Sequence, residues 1–167
     1  MLKLLIAYQI KHFLADFPLQ NEYMLGKFKD KGWIMPLAAH AGVHAGFTFF
    51  IVMCYLAQKD IFHHGYYEQP ELLVIIASFL CAMFDFIVHF TMDRIKASPK
   101  MLGRYNTLTK EQFIEALDVV RCNANLSPTT VQIAQKKLDD NERFWYSLGL
   151  DQFVHHVTHY IIIWVII

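Results

Sequence analysis

The stretch Leu148-Gly-Leu-Asp151-Gln152-Phe-Val-His155-His156-Val-Thr-His159-Tyr-Ile-Ile-Ile-Trp-Val-Ile-Ile167 decides how the rest of the chain is read. Asp151, His155 and His159 are spaced i, i+4, i+8, so on a helix they fall on one face. Gln152 and His156 form a second row about 100° round the same helix. Carboxylate and imidazole groups in so apolar a segment are costly unless paired, bound to metal or turned to water.

Three more apolar segments carry similar rows. Segment one, residues 2–17, holds His12 and Asp16, with Gln20 in step beyond Pro18. Segment two, 33–57, opens with Trp33, an expected interfacial anchor, and holds His40 and His44. Segment three, about 72–92, ends in Asp85, His89 and Asp93, with Lys96 just past them. Segment four is 148–167. The first is not read as a signal peptide, because Lys11, His12 and Asp16 interrupt it and no small-residue cleavage site follows.

Composition agrees with a membrane reading. The chain is 55% hydrophobic and 18% charged, against about 45–50% and about 25% for a soluble domain. Net charge is +0, so no basic field points to nucleic acid. Cys54, Cys81 and Cys122 are far apart and odd in number, and read as free thiols packed like small apolar residues.

Lysine and arginine counts orient the segments. The first connector, 21–32, holds Lys27, Lys29 and Lys31, and the second, 58–71, holds only Lys59. The third holds Arg94, Lys96, Lys100, Arg104, Lys110, Arg121, Lys136, Lys137 and Arg143. Connectors one and three are therefore expected in the cytoplasm and both termini outside. That topology puts all four rows at one depth, near the cytoplasmic face. His63 and His64 fall in the outer connector and read as ordinary loop residues. Phe47-Thr-Phe-Phe50 reads as lipid-facing or packing.

The third connector is too long for a bare loop. Thr109-Lys-Glu-Gln112 reads as a capping box that starts a helix over about 110–122. Ser127-Pro128 reads as an N-cap with a first-turn proline, starting a helix to about residue 141 or further. Val131, Ala134 and Leu138 give that helix an apolar stripe, expected on the membrane surface or over the site.

Helix bundles build metal sites from facing side chains at i, i+3 or i, i+4. Neutral imidazole and ionised carboxylate suit zinc, iron or manganese. The candidate ligands are His12, Asp16, His40, His44, Asp85, His89, Asp93, Asp151, His155 and His159. Ten exceed what one ion takes, so two ions are expected, or some residues orient the ligands. A metal-bound water then implies hydrolysis. Asp16 or Asp93 serves as general base, and Lys27 or Lys96 serves as phosphate clamp or as a snorkelling cation. An Asp–His pair between helices also works as plain interhelical glue.

At His12-Phe-Leu-Ala-Asp16-Phe-Pro-Leu-Gln20 the chain resembles a bacterial and phage membrane-protein family known as domain of unknown function 3307. Lys27, His40, His44, Asp85, His89, Asp93, Lys96, Asp151, Gln152 and His155 continue that resemblance across the four segments. The polar insert, 97–147, adds nothing to it. The family brings no activity with it. More distantly the chain is similar to membrane-bound metal-dependent hydrolases, whose His/Asp helices resemble those of zinc phospholipases C and P1-type nucleases. That likeness implies a metal-assisted hydrolysis.

The expectation is a single all-α domain, 1–167, a bacterial inner-membrane bundle of four transmembrane helices with a helical cytoplasmic insert. It binds divalent metal, zinc first, and acts on a small or lipid-linked phosphoester at the cytoplasmic leaflet. No motif supports a homo-oligomer, though so small a bundle is compatible with one. Two alternatives stand beside it: a transporter or channel for metal ions or protons, and a non-catalytic membrane module that binds a partner through the insert.

Overall fold

The computed structural model describes residues 1–59, 70–121 and 126–167. It is all-helical, with five α-helices and no strand among the described residues. His63, His64 and Cys122 lie outside the described residues.

Helix α1, Leu2–Asp16, stops two residues before Pro18, whose ring can neither donate to nor fit a continuing helix. A 3₁₀ turn, Met24–Phe28, follows, with the Asn21 side chain accepting the Met24 N–H at 3.0 Å. Gly32, at φ 72°, turns the chain into α2, Ile34–Gln58. Helix α3, Pro70–Ala97, ends against a second 3₁₀ turn, Leu102–Arg104. A Cβ at Gly103 would lie 2.7 Å from the Ala97 carbonyl, so only glycine lets that turn sit under the helix end.

Helix α4, Lys110–Arg121, starts at the expected capping box. Thr109 N–H donates to Gln112 Oε1 at 3.1 Å, and Gln112 N–H donates to Thr109 Oγ1 at 3.3 Å. Helix α5, Pro128–Ile166, starts at Ser127, whose hydroxyl accepts the Thr130 N–H at 3.2 Å. It runs 39 residues without a break, roughly 58 Å at 1.5 Å per residue. The insert helix and the fourth apolar segment are thus one rod. Gly149 alone between them is no helix breaker, because a lone glycine costs only about 1 kcal/mol.

Helix α4 packs on the first half of α5, with Ala116 and Ala134 buried. The stripe Val131, Ala134 and Leu138 therefore faces α4, not the membrane surface or the site. Asn141 ties the pair to the preceding strand of chain by accepting the Leu108 N–H at 2.9 Å.

Helices α1, α2, α3 and the second half of α5 close into a ring, each touching the next. One end of this bundle is an apolar cluster of Leu4, Tyr8, Val52, Leu56, Val74, Ile162, Ile163 and Ile166. The outward faces are also apolar. Ile6, Ile10 and Phe13 on α1, Ile76, Phe79 and Leu80 on α3, and Phe153, Ile161 and Trp164 on α5 are all exposed. Two stretches, Ile34–Gln58 and Glu71–Arg104, are long and apolar enough to cross a membrane. Cys54 is exposed and Cys81 half-buried, both free, so neither is a core thiol. Trp33 is only half-buried, and the Arg94 guanidinium stacks 3.8 Å from its ring centroid.

Candidate metal centre

Below the apolar cluster the bundle interior is polar. Each helix contributes three rungs at i, i+4, i+8: Tyr8, His12 and Asp16 on α1; His40, His44 and Thr48 on α2; Asp85, His89 and Asp93 on α3; Asp151, His155 and His159 on α5. Alternate helices run in opposite directions, so the rungs meet in three layers. Asp16, His40, Asp93 and Asp151 form the mouth. His12, His44, His89 and His155 form the middle. Tyr8, Thr48, Asp85 and His159 lie deepest. Eight residues of helix span roughly 12 Å, which is the depth of the polar column.

The middle layer is a ring of four imidazoles. Centroids are 5.5 Å apart for His12–His44, 3.9 Å for His44–His89, 4.0 Å for His89–His155 and 5.5 Å for His12–His155. In the deep layer Lys11 donates to Asp85 Oδ2 at 2.5 Å, and the Thr48 hydroxyl donates to the same oxygen at 2.7 Å. Lys11 Nζ also lies 3.2 Å from His159 Nε2. At the mouth, His40 Nε2 bridges two carboxylates, 3.4 Å from Asp16 and 3.1 Å from Asp93.

All ten candidate ligands come together here, and all but Asp16 are buried. Gln20, past the end of α1, makes no hydrogen bond to the cluster. Gln152 does join it, its Oε1 2.9 Å from His12 Nε2. His156 stands beside the ring, 3.3 Å from Gln9. Lys27 is buried and Lys96 partly buried, and both ammoniums turn to carboxylates of the cluster. Lys27 donates to Asp93 at 2.9 Å and Lys96 to Asp151 at 2.6 Å. Burial explains it, because a buried carboxylate left without a counter-ion costs several kcal/mol.

Three cluster residues were not singled out from the sequence. Tyr8 and Thr48 complete rows already seen on α1 and α2, but neither looks unusual in an apolar segment. Lys11 carried the stronger signal. Its ammonium sits mid-segment, where it cannot reach either surface and so needs a carboxylate.

Four groups of three could hold a metal ion: His12, His44, His89; Asp16, His40, His44; Asp85, His89, His159; and Asp93, Asp151, His155. Within each group the ligand atoms approach to 4.8 Å or less. The donor set fits such an ion. His89 Nδ1 lies 3.0 Å from the Asp85 carbonyl oxygen, while its Nε2 is buried without a partner. His12 and His44 each use Nε2 on Asp16, at 3.1 Å, and leave Nδ1 buried without a partner. Metal-ligating histidines have this form, one nitrogen fixed by an oxygen and the other free. Each buried unpartnered polar atom otherwise costs about 1–3 kcal/mol.

Charge distinguishes the four groups. The cluster holds four carboxylates, Asp16, Asp85, Asp93 and Asp151, and three ammoniums, Lys11, Lys27 and Lys96. Asp16 is the one of these carboxylates without an ammonium among the described residues. Three imidazoles, His12, His40 and His44, approach it instead.

Comparison of the chain with family models, with curated proteins and with solved structures finds no match in any of the three.

Proposed function

We propose that this chain is a four-span membrane hydrolase of phosphoesters, with a divalent metal centre open to the cytoplasmic leaflet. The observation that carries the reading is the lysine-free half of the cluster. One ligand atom from each of His12, His44 and His89 lies within 4.8 Å of the others, beside Asp16, the carboxylate that carries no ammonium among the described residues. Three histidines with an open fourth position are the ligand pattern of a catalytic zinc. Zinc is the first candidate on that ground, with iron or manganese behind it.

A bound divalent ion would supply an activated water and offset charge on a phosphoryl oxygen. The residues do the rest. His12, His44 and His89 would hold the ion, and the oxygens of Asp16 and Asp85 fix their rings. Asp16, with 23% of its side chain open, takes the proton of the attacking water. Asp93 is a poorer base, because it is buried and its carboxylate already carries the Lys27 ammonium. Lys96, at the mouth, meets the phosphate.

The inside-out distribution of polarity supports four spans. The buried set is ionic and the exposed set apolar, as lipid demands. Helix α1, at roughly 22 Å, is shorter than a hydrocarbon core of about 30 Å, so the bilayer thins around it. The lysine-rich first and third connectors favour a mouth in the cytoplasm and both termini outside, in a bacterial inner membrane. On the rows from His12 to His155 we also propose membership in the family the chain resembles. Transport of ions across the bundle is disfavoured, because Leu4, Val52, Leu56 and Ile162 close its other end.

The test is metal content and phosphoester hydrolysis of the detergent-purified chain. The wild type should hold at least one ion per chain and lose hydrolysis to a chelator. His44→Ala should lower both by about 100-fold or more, since the orienting partners of a metal ligand alone cost about 10–100-fold. A wild-type protein with no metal and no hydrolysis overturns the proposal. Zinc accumulation inside proteoliposomes would favour the transporter instead.

A further inference from the structure

The lysine-held half of the cluster has its own logic. Asp93, Asp151 and His155 form a second set with the spacing of a metal centre. His155 Nε2 lies 3.4 Å from Asp93 Oδ1 and 3.2 Å from Asp151 Oδ1. Asp151 Oδ1 and His155 Nδ1 are buried without hydrogen-bond partners. Yet each carboxylate already carries an ammonium, Lys27 on Asp93 and Lys96 on Asp151. The deep set, Asp85, His89 and His159, is held in the same way by Lys11.

These three lysines differ in one respect. The Lys11 side chain is 0% exposed and that of Lys27 8%, but that of Lys96 is 28% exposed. Lys11 has no water to move into, so the deep set stays closed. Lys96 lies in the last turn of α3, and its flexible four-carbon stem can carry the ammonium out to solvent.

We propose that Lys96 is a cation placeholder for a second metal centre at Asp93, Asp151 and His155. This rests on the reading of the cluster as a metal site. The first ion enters the lysine-free half around His44, where no ammonium has to leave. The second enters only when Lys96 releases Asp151. The freed ammonium then stands at the mouth, where a phosphate would arrive, so loading the second centre also readies the anion clamp.

The experiment is a zinc titration against a chromophoric chelator on the full detergent-purified chain, comparing wild type with Lys96→Met and His44→Ala. Wild type should bind two ions in two steps. Lys96→Met should tighten the second step by about fivefold or more, since it removes a competing ion pair. It should leave the first step within about twofold. His44→Ala should weaken the first step. A second step unchanged or weakened in Lys96→Met, or only one ion in both proteins, overturns the placeholder while leaving the metal site standing. No zinc in the wild type overturns both. A measurement on the wild type alone guards against a variant that folds poorly. An amine-reactive label read by mass spectrometry should modify Lys96 faster at saturating zinc than without it. Equal or slower labelling overturns the proposal.

Discussion

The two ends of the same four-helix bundle are built on opposite terms. At one end Val52, Leu56, Ile162 and Ile166 meet in a cluster where any side chain of the right volume would serve. At the other, four carboxylates, three ammoniums and six histidines are in mutual contact, all buried except Asp16 and Lys96, which are partly open. The apolar end is additive and tolerant. The polar end is not, because each ion pair is tolerable only while both members are present. The first end holds the helices together, and the second gives them something to hold.

The largest effect should come from splitting the deepest ion pair. Lys11→Met leaves the Asp85 carboxylate buried without its ammonium, a loss of about 3–5 kcal/mol. Lys11→Met with Asp85→Leu should recover most of that, because a buried ion pair replaced whole by apolar groups is often neutral. Unfolding of the purified variants in denaturant measures both. A double variant no more stable than the single would mean that the pair is not what costs stability there.

A smaller loss is expected from the apolar end. Ile162→Ala truncates a side chain that is 2% exposed in the cluster. Truncations of this kind cost about 2–5 kcal/mol in proteins surrounded by water. On the proposed membrane reading the lower end of that range is expected, because in lipid only packing is lost. The same variant should leave zinc affinity unchanged in a chelator titration. A large drop in affinity would show that the two ends are not separate.

What the sequence made legible follows the same division. The rows His12/Asp16, His40/His44, Asp85/His89/Asp93 and Asp151/His155/His159 stood out because ionisable groups in apolar segments are rare, and a four-residue period needs no tertiary information. The pairing of Lys27 and Lys96 with particular carboxylates was not legible. They bond across 66 and 55 positions of chain, and a lysine beside an expected membrane face has an ordinary alternative in snorkelling. Lys11 was overlooked because it sits one residue off the row of His12. Helix α5 looked like two elements because hydropathy changes near Leu148, but a change of surroundings is not a change of backbone. The capping box at Thr109 and the N-cap at Ser127 were legible for the converse reason, since the whole interaction lies within four residues.

The finest test of the comparison is Thr48→Val, a change of nearly equal volume on a helix whose neighbouring rungs are histidines. Phe47-Thr-Phe-Phe50 looks like a lipid-facing or packing stretch, and Phe50 is indeed exposed, but Thr48 is fully buried. Its hydroxyl donates to Asp85 Oδ2 beside the Lys11 ammonium. If Thr48 belongs to the apolar end, valine there is harmless. If it belongs to the polar end, the loss of one hydrogen bond to a charged group should cost about 1.5–3 kcal/mol. We expect that cost, measured as a lower denaturant midpoint at unchanged slope. Asp85 would keep Lys11 and His89, so the loss should stay below that of Lys11→Met. A neutral Thr48→Val would assign Thr48 to the apolar end, and the deepest polar layer would then rest on Asp85 and His159 alone.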